Sequence, residues 1–417
     1  MAEGAAVRRS APPRSQRGEE TRERVLVAAA RLFATQGFDA TSVEAVADAA
    51  GITVPGMYKH FPAKHELLMA VARRVTRGSV ARQALGQGPD LAGDLAELFG
   101  EYLAPGEVER RRLSIELSRA AFGDEELRPA VVSFNARLRE ALSETLCARH
   151  DIDRGEAARL SHLLLVLLMG AVHLDTLDAE RIGDPALVEH LRRAFARILA
   201  DPEPAAARPA PAGLPPSVVD PPEDPVPSDG RRARAVRTRQ RILRAAHDLF
   251  ALHGYDGTTI DAIAARAEIT VPGLYRHVTS KEQLLLEVAA RAFSRYRLAR
   301  PQDGTEHTTT QLAELLAAFS LSGERVDRRL AIELDFGAWR SEALAEDLRT
   351  FHRRMRQNVE RALVAAGVGE DEDVELRALV FLMLFMGIAH LDTIDPALID
   401  DPEWYDVLRR RLPQLVG

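Results

Sequence analysis

The chain has 417 residues, 46% hydrophobic and 28% charged, a balance typical of a globular protein, and this length predicts two or more domains. Its single cysteine, Cys147, excludes an intramolecular disulfide and a cysteine-rich zinc site and is typical of a reducing compartment. The longest apolar runs, 163–172 and 379–389, are shorter than the roughly 18–20 residues of a membrane span. No apolar segment follows the N-terminal arginines as it would in a signal peptide. We therefore expect a cytoplasmic protein.

The net charge of −7 is unevenly distributed along the chain. Residues 1–82 carry a net charge of +5, residues 231–300 carry +8, and the remainder carries −20. Two basic islands on an acidic body are the charge pattern of a DNA-binding protein whose body does not touch DNA. The alternative is two chance clusters of solvated arginine side chains.

An internal repeat at a constant offset of 217 residues organises the chain. Residues 21–74 align without a gap to residues 238–291, and 28 of these 54 positions are identical. The same offset pairs 115–117 with 332–334 and 173–176 with 390–393. A complete unit has therefore been duplicated, in contrast to a short array of stacked repeats.

Each copy shows helical periodicity and no convincing strand, so the predicted class is all-α. The first helix carries apolar residues at helical spacing and ends at Gly37, or at Gly254 in the second copy. Residues 41–44 (TSVE) read as a capping box that opens a second helix, and 258–261 (TTID) nearly match it. Thr53 is expected to cap a short third helix, and a longer fourth helix follows Ala63.

A helix, a tight turn and a second helix within about 20 residues form the helix-turn-helix plan for DNA. Met57 and Phe61 are expected to face the core, which leaves the rest of the third helix for the major groove. Lys64 and Lys281 start the fourth helix, where a cation and free amides can hold a phosphate. The predicted DNA-binding residues are Thr53, Val54, Pro55, Gly56, Tyr58, Lys59, His60 and Lys64, with Thr270, Val271, Pro272, Gly273, Tyr275, Arg276, His277 and Lys281.

Residues 29–68 read AARLFATQGFDATSVEAVADAAGITVPGMYKHFPAKHELL, and the second copy reads AAHDLFALHGYDGTTIDAIAARAEITVPGLYRHVTSKEQLL. Over roughly 60 residues per copy these segments resemble the DNA-binding signature of the TetR family. The copies differ where Gly51 is replaced by Glu268 and Phe61 by Val278, so the second motif is expected to be less well braced. Both recognition helices place valine and glycine where many family members have residues that bind bases. We therefore expect more reliance on phosphate contacts and DNA shape.

The predicted organisation has six parts. They are a disordered basic arm (1–18), a first DNA-binding domain (19–79), a first helical body (80–200), a proline-rich linker (201–230), a second DNA-binding domain (231–296) and a second body (297–417). The linker cannot sustain regular structure because of its prolines.

The resemblance implies that each body supplies an effector pocket and helices for a four-helix dimer interface. Residues 161–176 and 377–393, apolar nearly all round, are the expected interface helices. We expect the two copies to pair within one chain, with a homodimer of whole chains as the alternative. The aromatic side chains that could line a pocket for a small apolar effector, or pack as plain core, are Phe122, Phe134, Trp339, Phe351, Phe381 and Phe385.

The resemblance implies a ligand-responsive regulator, a repressor by the family's default, that needs no cofactor. An architectural DNA-binding protein without an effector is the alternative. An enzyme is disfavoured because the sequence lacks a nucleophile constellation, a phosphate-binding glycine loop and a metal cluster. His173 and Asp175, with His390 and Asp392, are poor metal chelates because residues two apart on a helix do not share a face. A histidine at a helix end with a capping aspartate is the expected arrangement.

Overall fold

The computed structural model describes residues 14–77, 90–149, 152–175, 177–200, 230–294, 305–338, 341–365 and 372–416. All regular elements in these ranges are helical, which confirms the predicted all-α class. The helices of the first copy are α1 (Arg14–Gln36), α2 (Val43–Ala50), α3 (Val54–Tyr58), α4 (Lys64–Arg77), α5 (Leu91–Leu103), α6 (Val108–Gly123), α7 (Arg128–Arg149), α8 (Arg154–Asp175), α9 (Ala179–Ile182) and α10 (Pro185–Ala200). Those of the second copy are α11 (Gly230–Gly257), α12 (Ile260–Arg266), α13 (Val271–Leu274), α14 (Lys281–Phe293), α15 (Thr305–Phe319), α16 (Arg325–Ala338), α17 (Glu342–Ala365), α18 (Glu372–Ile394), α19 (Pro396–Ile399) and α20 (Pro402–Val416).

Two predicted segments fall largely outside the described residues. Of the predicted arm at 1–18, residues 1–13 lie outside the described residues, and the last five residues belong to α1. The first helix therefore begins before residue 19. The hydroxyl of Thr21 donates to the carbonyl of Arg17 at 2.8 Å, a contact typical of a continuous helix. Of the linker, 201–229 lie outside the described residues, and Gly230 begins α11.

The chain divides into two compact units, one of residues Met1–Ser79 with Gly106–Val131, and one of Val80–Pro105 with Val132–Gly417. The first unit holds the first DNA-binding region and α6. In it, α1 packs against α2, α4 and α6. Val25, Leu26 and Phe33 are at most 1% exposed. The predicted apolar face of the first helix is therefore the one that is buried.

The second unit is built around α8 and α18, which pack along each other. Both are long and apolar enough by composition to cross a membrane, but 83% of each apolar window is buried inside the fold. A helix that is apolar all round is expected in this position. The two helices singled out in the sequence as interface helices therefore lie against each other in this chain.

Glycines allow α8 and α18 to approach at van der Waals distance. A Cβ atom added to Gly170 would lie 1.7 Å from the carbonyl oxygen of Met383, and one added to Gly387 would lie 1.9 Å from that of Val166. These contacts are exchanged by the 217-residue offset, so the crossing point has approximate two-fold symmetry. Only residues without a side chain fit there.

The remaining helices flank this pair, with α5 packed on α10, α15 on α20, and α16 and α17 on α18. In the second copy, Phe319 stacks on Phe385 with ring centroids 4.0 Å apart, and Phe293 lies 5.8 Å from Phe351. Phe381 is 2% exposed. Phe381 and Phe385 are therefore buried in the core, Phe122, Phe134 and Phe351 are half-buried, and Trp339 lies outside the described residues.

Candidate nucleic-acid interface and the contacts behind it

The second helix of each DNA-binding region begins with a hydroxyl cap. The Ser42 side chain accepts from the amide of Ala45, and Thr259 accepts from that of Ala262, both at 3.1 Å. The predicted capping box placed the cap at Thr41, one residue before Ser42, which caps the helix in the structure. The preceding Thr41 is instead buried and donates to the carbonyl of Gly37 at 2.7 Å. A buried hydroxyl needs a partner, and this carbonyl at the helix end provides one.

The recognition helices α3 and α13 are short and are capped as predicted. Thr53 accepts from the amide of Gly56, and Thr270 from that of Gly273, both at 3.2 Å. Proline stands in the first turn of each helix, where its missing N–H costs nothing. Glycine at the third helical position also lets the backbone approach a groove closely.

The side chains predicted to meet DNA are accessible in both copies. Tyr58 is 45% exposed and Tyr275 is 52% exposed, whereas Met57 and Leu274 are buried beneath them. The exposed members of the set are Thr53, Pro55, Tyr58 and Lys59, with Thr270, Pro272, Tyr275 and Arg276. The half-buried members are Val54, Gly56, His60 and Lys64, with Val271, Gly273, His277 and Lys281. In each copy an exposed tyrosine is therefore followed directly by an exposed cation at the end of the short helix.

The lysines that begin α4 and α14 contact the segment that follows Gly37 and Gly254, where the first helix of each copy leaves the helical conformation. Lys281 donates to the carbonyls of Tyr255 and Thr258 at 2.8 and 3.0 Å, and its Nζ lies 4.0 Å from the centre of the Tyr255 ring. Lys64 lies 4.4 Å from the ring centre of Phe38. Burial lowers the pKa of Lys64. Both lysines therefore tie the start of the fourth helix to the segment after the first helix.

A glutamate from each body holds the same segment, a role that the sequence alone did not predict. Glu116 on α6 accepts from the amide of Phe38 at 2.6 Å, and Glu333 on α16 accepts from that of Tyr255 at 2.7 Å. Both glutamates are 5% exposed. The two glutamates occupy equivalent positions in the repeat, which is the one feature of the sequence that could have pointed to a shared role. The residues next to each glutamate give no indication of a partner 78 positions away. Each body helix is thus tied directly to its DNA-binding region.

The turn before each recognition helix uses left-handed backbone. Gly51 has φ +66, and its counterpart Glu268 has φ 55, the one non-glycine residue with positive φ among the described residues. The exposed carboxylate of Glu268 lies 3.4 Å from Arg241. This pair is worth at most about 1 kcal/mol at the surface. The second turn therefore keeps the geometry of the first at a conformational cost.

A buried polar cluster lies where α8 crosses α18. His173 Nε2 is 2.7 Å from His390 Nδ1, and His173 Nδ1 donates to the carboxylate of Asp335. All three residues are at most 1% exposed. Burial holds the pKa of His390 well below its ordinary value. Neither histidine therefore caps a helix end, which corrects the expected arrangement.

Asp392 was expected to cap the helix end next to His390. It instead forms a buried ion pair with Arg328 at 3.0 Å. Among the residues that the structure describes, no group of three or more His, Cys, Asp or Glu side chains is placed to hold a metal ion.

A polar cavity of about 420 Å³ lies between α8, α9, α17 and α18. Its lining includes Arg181, Arg349, Arg353 and Arg356, with leucines from α8 and α18. Burial lowers the pKa of His352, which is also in the lining. The Nδ1 atom of this side chain is buried and has no hydrogen-bond partner within the described part of the chain.

A groove of about 570 Å³ occupies the repeat-equivalent position beside α7. Its lining has alanine at 136 and 158, where the cavity has Arg353 and Glu375. The two sites have therefore diverged in charge.

Comparison with known proteins agrees with this geometry. The model of the family described as bacterial regulatory proteins, tetR family, matches residues 25–71 and 242–288. The transcriptional regulator UidR of Escherichia coli is 30% identical over 136 residues, which are 31% of this chain and 67% of UidR. The chain belongs to the TetR family, and the resemblance inferred from the motifs is confirmed.

Two further matches are shorter or looser. The transcriptional activator FasR of Mycolicibacterium smegmatis is 39% identical over 69 residues, 16% of this chain and 32% of FasR. The solved structure of Salmonella enterica GusR is 26% identical, covers 43% of this chain and 96% of its own, and has a TM-score of 0.37. The chain thus spans about a third of FasR and about two thirds of UidR. These named relatives are transcriptional regulators, not enzymes.

Proposed function

We propose that this chain is a cytoplasmic, ligand-responsive transcriptional repressor that binds a near-palindromic operator through its own two helix-turn-helix motifs. One observation carries the proposal: two recognition helices with the same exposed residue types lie in a chain whose α8 and α18 pack on each other. In this family's plan, pairing of two bodies presents two motifs to one operator. Here one chain supplies both bodies and both motifs.

The operator should consist of two similar but not identical half-sites. The exposed recognition residues differ mainly at Lys59 against Arg276, so the two motifs make comparable contacts. Half-sites read by paired helix-turn-helix motifs lie about one helical turn, ~34–36 Å, apart or at a multiple of it. Footprinting on the DNA upstream of the chain's own gene should protect both half-sites. Disruption of the second motif that leaves the footprint unchanged would contradict this.

Phosphate contacts should dominate the affinity, since valine and glycine offer the bases few hydrogen bonds. Lys64→Ala and Lys281→Ala should each weaken binding to every sequence. Each should also lower the slope of log affinity against log salt concentration by roughly 1 for every phosphate that is no longer bound. The matched control is Arg192→Ala, which removes an exposed body cation paired with Glu189. An unchanged slope in both lysine variants would show that these side chains only hold the segment after the first helix.

The effector should bind in the cavity between α8, α9, α17 and α18. Arg181, Arg349 and Arg356 already pair with glutamates. Arg353 favours a ligand with an anionic group together with an apolar part, in place of the apolar effector expected from the sequence. A panel of aliphatic and aromatic carboxylates should include compounds that release operator DNA. Arg353→Ala should weaken that response and leave DNA affinity unchanged. If no carboxylate binds, the architectural alternative without an effector gains support.

A further inference from the structure

The two halves of the body interface are not equivalent, although the helices that build it are repeats of each other. We infer that the interface is heterospecific: the first copy's body is built to pair with the second copy's body and to reject another first copy. This extends the proposed pairing within one chain. The inference predicts that the two different bodies pair preferentially even when the linker between them is cut.

The buried cluster at the crossing point carries the first argument. It holds two histidines but a single carboxylate, Asp335, which accepts from His173. The repeat-equivalent residue in the first copy is Ser118. A pair of two second copies would bury two carboxylates beside its histidines, and a pair of two first copies would bury none. Only the unlike pair places one carboxylate at this buried position.

Polar contacts beside the first turns of α8 and α18 also differ between the copies. At the start of α8, Arg411 of α20 forms a buried ion pair with Glu156 and donates to the carbonyl of Ile198 at 3.3 Å. The repeat-equivalent residue of Arg411 is Ala194, which can form neither contact. His190 donates to the carbonyl of Leu415 at 2.9 Å, and its counterpart is Val407.

Side-chain packing against α8 and α18 also differs between the two copies. The rings of His162 and Trp404 stack with centroids 4.4 Å apart. The reciprocal pair, by the 217-residue offset, is Leu379 with Leu187. A pair of two first copies would place His162 opposite Leu187 at both ends and leave the space of the indole ring unfilled. Packed interiors do not tolerate such losses of volume.

Two ion pairs at the rim can form only in the unlike pair. Arg159 of the first copy lies 3.3 Å from Glu403, and Arg181 forms an ion pair with Glu375. In a pair of first copies the two glutamates would be replaced by alanine, at 186 and 158. In a pair of second copies the two arginines would be replaced by leucine, at 376 and 398. Charges that find no partner in the wrong combination reject that combination.

The test starts from the full chain with a protease site inserted in 201–230. The cut protein, mixed from ¹⁵N-labelled and unlabelled preparations, is unfolded in urea, refolded and weighed by native mass spectrometry. Isotopically mixed pairs report that the halves have exchanged partners. We expect unlike pairs to exceed both kinds of like pair at least tenfold. The statistical 1:2:1 distribution would overturn the inference.

Two variants test whether the buried cluster causes the preference for unlike pairs. Asp335→Ser, which gives the second copy the residue of the first, should raise the share of second-copy pairs several-fold. Arg192→Ala, an exposed substitution, should leave the distribution unchanged. If Asp335→Ser does not shift the distribution, the buried cluster is not the discriminating element. Operator binding by the uncut chain is measured separately, so failure of the proposed function and failure of this inference are distinguishable.

Discussion

At the scale of single residues, the turn of the second helix-turn-helix stores strain at Glu268. An L-residue in left-handed conformation costs roughly 1–2 kcal/mol, and glycine adopts it freely but loses more chain entropy on folding. Glu268→Gly should therefore raise the free energy of unfolding by roughly 0.5–1 kcal/mol. Glu268→Ala is the control, because it removes the carboxylate and keeps the strain. Denaturant unfolding that shows equal gains for both variants would trace the effect to the carboxylate.

Buried histidines should make the fold sensitive to acid. Burial lowers the pKa of His162 to about 3 and the pKa of His390 well below its ordinary value. Each group is neutral in the folded state, so its stabilising contribution is complete above the unfolded pKa of about 6.5. That contribution falls as pH drops below 6.5, by roughly 1.4 kcal/mol per pH unit for each histidine, until the folded pKa is reached.

His162→Leu should reduce by one the number of protons that the protein takes up on unfolding, and so make the free energy of unfolding less dependent on pH. Leucine is the residue at the repeat-equivalent position, 379, so the substitution keeps an apolar side chain against Trp404. Unfolding free energies measured between pH 7.5 and 5.5 should fall less steeply in the variant than in the parent. Parallel curves would show that His162 does not take up a proton on unfolding in this range.

At the scale of elements, the crossing of α8 and α18 depends on two glycines. Gly170→Ala would place a methyl group 1.7 Å from the carbonyl oxygen of Met383, so the helices must separate. Overpacking of this kind costs typically 1–3 kcal/mol. Gly323→Ala is the matched control, since no atom of the described residues lies within 4 Å of an added Cβ there. Thermal unfolding in which both variants behave alike would contradict the close crossing.

The elements were largely predictable from the sequence, and the contacts between them were not. Periodicity predicted the first helix, the burial of Met57 and the start of α4 at Lys64, because these depend on neighbours a few positions away. The cap of α2 was misplaced by one residue, because Thr41 and Ser42 are equally suited to it in the sequence. The role of Glu116 and the contact of His173 with His390 depend on partners 78 and 217 positions away. Local patterns do not reveal such partners.

At the scale of the whole molecule, both DNA-binding regions and both bodies belong to one 45.8 kDa chain. The linker that the sequence predicts at 201–230 would span on the order of 90 Å if it were fully extended. Tethering raises the effective concentration of one copy for the other to the millimolar range. Pairing within the chain should therefore precede any association between chains.

The measurement that tests the central claim most directly is the mass of the protein bound to one operator duplex, determined by light scattering across a dilution series. We predict one 45.8 kDa chain on each duplex, with simple binding curves that do not require a dimerisation step. Two chains on each duplex, with binding that steepens as the protein is diluted, would contradict the account and establish a homodimer of whole chains.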